Sequence, residues 1–556
     1  MSRSESPDRD GLNSRLPVVR FHELPKRCFL SVVLLVLLGA AAVSAREVKL
    51  VILNTTDVHG HILPADDAEG HSVGGLLRDA SAIQEIRSQE KNVILVDCGD
   101  LIQGTAESWL TRGEIMLRAL KWLHYDAWVV GNHDLDWGVQ TLARLQEHCP
   151  CPLLAGNILG TSSSNSLSGL KPFVIKEIDG VRVAIIGLTT PGVPLWLRPD
   201  YLGDLRFEKS KDALARIMRS VRAEQPDVII LLAHQGYEPM VDDTANEIHE
   251  IARWFPEVDV ILGGHLHKAL PSVRLNGVLY SQAGCYGNWL GRIDITVDTE
   301  QKRVVNKTAT LIEIGDRYPI CRELQGLLKD DLEKSKKYLA EEVGSASQTL
   351  TSTLTLPAQS GVQQLICRAI QESTKAEVVL HGILAEATLD SGPLRRRDIW
   401  RIVPYENRIG VASLTMQEIK DILEENFQQV GSVHFLGVYG LSYELHPNAA
   451  RGQRIQNLAL ADGSRPKPDE RLRVAASSYV LASGGGRFAV FRKLAEQPEA
   501  QLLMTDVDTR SAVTDYVRKH SPLCIAEDHS VTVVRGGESR KSRTPESRDR
   551  PGVVKP

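Results

Sequence analysis

No broad positive field is available to this chain: 65 Lys and Arg stand against 70 Asp and Glu, a formal net charge of −5 over 556 residues. A binder of nucleic-acid polymers needs the reverse balance, so recognition by this protein must be local, through particular side chains. Cysteine is scarce too. Of eight, Cys28 falls in an N-terminal apolar run, leaving an odd seven, which implies no complete disulfide framework. Cys149 and Cys151, separated only by Pro150, have no partner pair at zinc-site spacing and read as thiols at a strand start. An exported chain could still hold one or two bridges. Internal repeats are absent, and after residue 45 no segment is apolar for long enough to cross a bilayer.

The one long apolar run is CFLSVVLLVLLGAAAV, which follows Lys26-Arg27 and ends at Val43-Ser44-Ala45. It is shorter than the roughly 20 apolar residues of a membrane span. Basic residues, a short apolar stretch and a small-x-small ending are the build of a secretory signal peptide. We expect residues 1–45 to be that signal, the mature chain to begin near Arg46, and the protein to be exported, periplasmic or extracellular. An uncleaved N-terminal anchor is the alternative; no other membrane contact is expected. Oligomeric state is not legible.

At this length more than one domain is expected. From Val48 to Ile314, runs such as KLVILNTTD, NVILVDCGD, AWVVGNHD, RVAIIGLTT, DVIILLAH and VDVILGGH alternate with amphipathic stretches such as DALARIMRSVRAEQ. Near-continuous Val/Ile/Leu runs bounded by Gly, Asp and Asn are how α/β strands buried on both faces read. QAGCYGNWLGRIDITVD reads as an antiparallel addition. The expected order is therefore an α/β domain over 46–314, a charged helical linker over 315–345, and a smaller α/β domain over 346–522. A polar tail, poor in aromatics and expected to be disordered, occupies 523–556.

Five of the strand-like runs end in residues that can ligate metals: Asp57-Val58-His59, Gly99-Asp100, Gly131-Asn132-His133-Asp134, Ala233-His234 and Gly263-Gly264-His265-Leu266-His267. In an open α/β sheet the carboxyl ends of the strands converge on one crevice, so residues far apart in sequence can meet. Carboxylate, imidazole and amide oxygen suit two divalent cations such as Mn, Zn, Fe or Mg, with Asp100 able to bridge them. Two ions hold a phosphate and acidify water. His133 is suited to stabilising charge on the leaving oxygen, and Asp136 to orienting it. The remaining histidines, among them His61, His71, His124, His148, His249 and His381, lack this placement and read as structural.

The strings NTTDVHG, DCGDLIQGT, VGNHDLDWG, AHQG, GGHLH and QAGCYGNWLG, in this order, resemble the 5′-nucleotidase family of calcineurin-like metallophosphatases. The resemblance runs from about Val48 to His520 and is stronger in the first half. It implies an αββα sandwich followed by a 5′-nucleotidase-type C-terminal domain. It also implies one metal on Asp57, His59, Asp100 and His267, another on Asp100, Asn132, His234 and His265, and a catalytic pair His133–Asp136. Tyr405 and Phe488 match the rings that stack a nucleobase in that family. The implied activity is hydrolysis of a small phosphate ester, a 5′-nucleotide above all. A domain rotation is also implied, with its hinge between about Ile314 and Ser345.

The second half departs from the pattern. Where the family carries an Arg-bearing Gly-rich string, this chain reads His381-Gly382-Ile383-Leu384-Ala385-Glu386, and Ala358, Arg368 and Gly486 stand at other family positions. Arg395, Arg396, Arg397, Arg408 and Arg487 are the candidate substitutes, of which Arg408 and Arg487 flank the two rings. These departures leave a 2′,3′-cyclic-nucleotide phosphodiesterase, a nucleotide-sugar hydrolase or a non-nucleotide phosphatase open. An inactive binding or scaffold protein is the alternative of a different class.

Overall fold

The computed structural model describes residues 47–66, 70–160, 167–197, 199–239, 242–353, 359–484, 487–526, 528 and 530–534. The expected signal at 1–45, the substituted positions Ala358 and Gly486, and the chain from 535 onward lie outside them.

The apolar runs of the first half become strands of two six-stranded sheets. One has the order Arg303–Glu313, Trp289–Asp298, Glu47–Thr55, Val93–Asp97, Ala127–Val129, Leu153–Leu154; the other runs Ala269–Leu275, Val278–Ala283, Val260–Gly263, Val228–Ala233, Val181–Leu188, Phe173–Ile178. Neighbours at the centre of each sheet pair in parallel, as Val51 with Val93 and Ile230 with Val260. The expected antiparallel addition is Trp289–Asp298, paired with Arg303–Glu313. Ile52, Ile94 and Val129 of one sheet pack on Ile185, Ile230 and Leu262 of the other, forming a core between the sheets. Helices Leu76–Gln89, Glu114–Leu123 and Val139–His148 cover the outer face of the first sheet, and Ser210–Ala223 and Ile248–Trp254 that of the second. Both faces of the central strands are thus covered, which is why their residues can be apolar at nearly every position. This is an αββα sandwich.

Helix Arg322–Ala340 leads into the second half. Its Leu324 and Leu328, with Ile314 and Tyr318 before it, are buried in the first domain's core. A five-stranded sheet follows in the order Gly437–Tyr439, Val378–His381, Arg471–Ser477, Arg408–Thr415, Leu503–Asp508, with an apolar core on each face.

The tail expectation is corrected in part. Val531–Val533 pairs in parallel with Leu441–Leu445, and Val531, Leu523 and Ile525 are buried. The short Val-Thr-Val alternation puts a valine against the core, a strand pattern that the polar flanks obscure. All seven described cysteines are free; Cys149 Sγ and Cys151 Sγ lie 3.8 Å apart without a bond.

Candidate metal centre and substrate pocket

The loops after strands Glu47–Thr55, Val93–Asp97, Ala127–Val129, Val228–Ala233 and Val260–Gly263 meet at the carboxyl edges of both sheets. Asp57, His59 and His267 offer ligand atoms within 4.8 Å of one another, and so do Asp100, His234 and His265. Asp100 stands between the sets, with Oδ2 3.1 Å from His234 Nε2 and 3.8 Å from His59 Nε2. Asn132 Oδ1 lies 3.1 Å from His234 Nε2 and 2.9 Å from His265 Nδ1. All seven expected ligands therefore gather in one place.

Their backbone is held by neighbours as well as by local preference. Asp57, His59, Asp100, His265 and His267 all have φ between 49° and 74°, a region L-residues other than Asn, Asp and His rarely adopt. Asp134 fixes the centre of the arrangement by accepting from the main-chain N–H groups of Gly131, Asp100, Leu101 and Ile102. Burial, then the Asp100 charge, lifts the Asp134 pKa to about 6. Gly131 is obligatory: a Cβ there would stand 2.2 Å from both Asp100 N and Asp100 Oδ1.

The donors fit cations. His59 Nδ1 and His234 Nδ1 each donate to a main-chain carbonyl, Gln103 O and Cys98 O, at 2.8 Å. His234 Nε2 then faces the acceptor oxygens Asn132 Oδ1 and Asp100 Oδ2, and His59 Nε2 lies 3.1 Å from His267 Nε2. Lone pairs converging on lone pairs need positive charge between them. At His234 a second proton can supply it. Burial lowers that pKa, but the Asp100 carboxylate outweighs burial and holds it at about 9. Burial keeps His59 neutral, well below its ordinary value; its contact with His267 is met by an Nε2–H tautomer of His267 or by a cation held between the two nitrogens. His265 is likewise pushed down to about 3 by burial and by the charge of His234. Burial opposes ionisation of Asp100, yet His234 and His133 hold its pKa well below the usual carboxylate range.

His133 lies beside the ligands without belonging to either set. Its main-chain N–H donates to Asp100 Oδ1 at 2.7 Å, and its Nδ1 lies 2.7 Å from Asp136 Oδ2. Burial would lower its pKa, but the Asp136 and Asp100 carboxylates outweigh that and raise it to about 10. A pKa so raised favours the imidazolium form of His133, and its Nε2 has no hydrogen-bond partner among the described residues. His133 opens, with Asp136, His265 and His267, onto a cavity of about 560 Å³.

The far wall of that cavity comes from the second domain: Tyr405, Glu406, His434, Tyr479, Arg487 and the apolar pair Ile383 and Leu384. Tyr405 stacks on His133, with ring centroids 5.9 Å apart and planes at 21°. Arg487 donates to Tyr479 Oη at 2.8 Å. Arg408 lies 5.2 Å over the ring of Tyr201, itself a wall residue. Phe488 does not reach the cavity. It is 2% exposed and packs with Phe491 and Leu481 in the core, and the ring on that wall is Tyr479. Arg396 is bound to Glu341 beside the linking helix, while Arg395 precedes helix Arg396–Ile402 as its N-cap and Arg397 lies near Asp398; none of the three lines the cavity. Glu386, the acid at a family Arg position, is exposed and off the wall.

Sequence reasoning missed Trp196, whose ring lies 4.8 Å from that of His265, and Tyr286, within 6 Å of the rings of His59, His61 and His267. A glycine on each side, Gly284 and Gly287, was the available signal for Tyr286, which has φ of 59°. Of the histidines read as structural, His61 donates Nδ1 to Val58 O and His381 is buried in the second domain.

Residues 50–269 match the family profile described as calcineurin-like phosphoesterase, and residues 342–493 that of the 5′-nucleotidase C-terminal domain. Together these take in more than half of the chain. Among curated relatives, Protein UshA of Yersinia enterocolitica is 25% identical over 528 residues, covering 85% of this chain and 92% of that protein. The 2′,3′-cyclic-nucleotide 2′-phosphodiesterase/3′-nucleotidase of Salmonella typhimurium is 24% identical over 559 residues, covering 83% and 85%. The solved structure of a 5′-nucleotidase precursor from Thermus thermophilus superposes with a TM-score of 0.70 at 22% identity, over 88% of this chain and 99% of that one. With its two sets of His and Asp donors, the chain belongs to the 5′-nucleotidase family of calcineurin-like metallophosphatases, hydrolases of phosphate esters that work with two divalent metal ions.

Proposed function

We propose that the protein is an exported phosphomonoesterase that releases phosphate from 5′-nucleotides. One observation carries this: a single cavity is lined by His133, Asp136 and the ligand histidines of the first domain and by Tyr405, Tyr479 and Arg487 of the second. A phosphate beside the ligand histidines leaves room for a base among the rings. Base–aromatic stacking contributes about 1–3 kcal/mol and tolerates any base.

Asp57, His59 and His267 would hold one ion and Asp100, Asn132, His234 and His265 the other, with Asp100 shared. Bound there, the ions would neutralise phosphate charge and make a water acidic enough to attack at neutral pH. The protein's own groups do the rest. Asp136 keeps His133 protonated and oriented through Nδ1, and Nε2 donates to the departing ester oxygen. Arg487 can offer its guanidinium to the nucleotide. Trp196 and Tyr405 flank the reacting end and restrict water there.

A second reading has support of its own. Ile383 and Leu384 give the wall an apolar stretch within the segment where the family carries its Gly-rich string, and the Salmonella relative bears a cyclic-nucleotide name. Phosphate release from adenosine monophosphate and an aryl phosphate, and formation of the ring-opened monophosphate from 2′,3′-cyclic adenosine monophosphate, each with manganese, zinc or magnesium, test both. Turnover of the monophosphate above the aryl ester is expected. Turnover of the aryl ester alone sinks the nucleotide assignment. Export is checked by N-terminal sequencing of the mature protein, expected to start near Arg46.

A further inference from the structure

We propose that Glu406 is a positioning residue, a latch that ties the substrate loop of the second domain to the catalytic dyad of the first and seats Tyr405 on His133; the proposal rests on the cavity being the substrate site. Glu406 lies between helix Arg396–Ile402 and strand Arg408–Thr415. Its Oε1 accepts from Trp109 Nε1 at 2.6 Å and its Oε2 from Trp137 Nε1 at 2.7 Å. Both oxygens of one carboxylate are thus taken by indoles of the other domain. Trp137 is the residue after Asp136, and Trp109 sits in the helix Ala106–Thr111 that follows the Asp100 loop. The two rings are themselves bound together, because the Arg112 guanidinium lies 5.4 Å and 5.7 Å from their centroids.

From its own side the loop is rigid. Arg510, only 6% exposed, donates to Val403 O at 2.9 Å and Pro404 O at 2.7 Å, and lies 3.4 Å over the ring of Trp400. Thr509 N donates to Asn407 O at 2.9 Å. With residues 403, 404 and 407 fixed, Glu406 has little freedom of its own, and its two bonds set where neighbouring Tyr405 stands. The Tyr405 phenol also interacts with that of Tyr286, beside the ligand histidines. Hydrogen bonds to an ionised carboxylate are about twice as strong as neutral ones, and a rigid carrier passes their geometry on without loss. Trp109 further touches Tyr338 of the linking helix and Trp400, with centroids 5.6 Å and 6.0 Å away. The latch therefore stands where both domains and their connection meet.

A latch and a mere domain contact differ in what they disturb. The full chain with manganese is assayed on adenosine monophosphate and on a small aryl phosphate, as wild type, Glu406→Ala, Glu406→Gln, Trp109→Phe and the Trp109→Phe/Glu406→Ala pair. Glu406→Ala, which removes both charge-assisted bonds, is expected to raise KM for the nucleotide at least about tenfold, and to impair the aryl ester, which has no base to seat on the rings, several-fold less. Glu406→Gln, which keeps an acceptor, is expected to recover part of the loss. The double variant is expected to be no worse than Glu406→Ala, because the bond that Trp109→Phe removes is already lost with the Glu406 carboxylate. Small-angle scattering is expected to show a larger radius of gyration for Glu406→Ala. Equal losses on both esters, additive losses, or an unchanged radius of gyration would each overturn the proposal. If the wild type hydrolysed neither ester, the functional reading would fail, while scattering would still decide whether Glu406 holds the domains together.

Discussion

Asp57, His59, Asp100, His265 and His267 combine left-handed backbone with buried or half-buried polar side chains. Such backbone costs about 1 kcal/mol or more per residue, and it is tolerated because neighbouring groups fix it. Thr56 Oγ1 and the His265 N–H both donate to the Asp57 carboxylate. His133 and Asp100, 2.7 Å apart through a main-chain N–H, have separable roles. His133→Asn is expected to lower kcat by about 10²–10⁴, the range for a lost general acid, with metal content unchanged by mass spectrometry. Asp100→Ala is expected to lose bound metal as well as activity. If His133→Asn lost its metal too, the division of labour would be wrong. These residues were legible because each stands directly after an apolar run, where chain direction alone fixes its place. Tyr479 was not. It stands nine positions before Phe488, and only the packing of Phe488 against Phe491 decides which ring faces the cavity.

At the scale of elements, two segments make predictions. His381 ends strand Val378–His381; it is 1% exposed and its Nε2 has no partner among the described residues. Burial pushes its pKa from 6.5 to about 4. Between those values the unfolded chain takes up a proton that the folded chain refuses, so stability falls as pH drops through that window, by about 3 kcal/mol at its lower end. Urea unfolding of His381→Gln should show a difference between pH 7 and pH 4.5 about 2 kcal/mol smaller than that of the wild type; an equal difference would place the acid sensitivity elsewhere. Strand Val531–Val533 closes a three-stranded sheet, and Val531 is 4% exposed. Val531→Asp buries a charge without a partner and is expected to cost about 3 kcal/mol, read as a lower melting temperature, whereas Thr532→Asp on the exposed side should have little effect. Long Val/Ile/Leu strands announced themselves in the sequence. A three-residue strand amid polar residues did not, since its pairing partner lies some 90 positions away, at Tyr443–Leu445.

For the whole molecule, metal binding and folding are linked. The ligands come from loops of both sheets, so ions bound there favour the folded state. At about a hundredfold excess over Kd each ion adds about 3 kcal/mol. A chelator is expected to abolish phosphatase activity and lower the melting temperature, and divalent metal to restore both; a melting temperature indifferent to chelation would mean that the ligand loops hold their form alone. The α/β architecture and the convergence of the motifs followed from patterns within single segments, and so were legible. The contacts of Glu406 with Trp109 and Trp137 were not, because nothing in three residues so widely spaced marks them as neighbours.

Helix Arg322–Ala340 begins as part of the first domain, pinned there by Leu324 and Leu328. Any swivel of the second domain would then have its fulcrum beyond Leu328, in the last turns of that helix or the junction before strand Glu342–Ala346. A pivot so close to Trp109 and Tyr338 gives the aromatic contacts there a short lever arm, so a small change in their packing would swing the distant cavity wall, and Tyr479 with it, through a much larger arc.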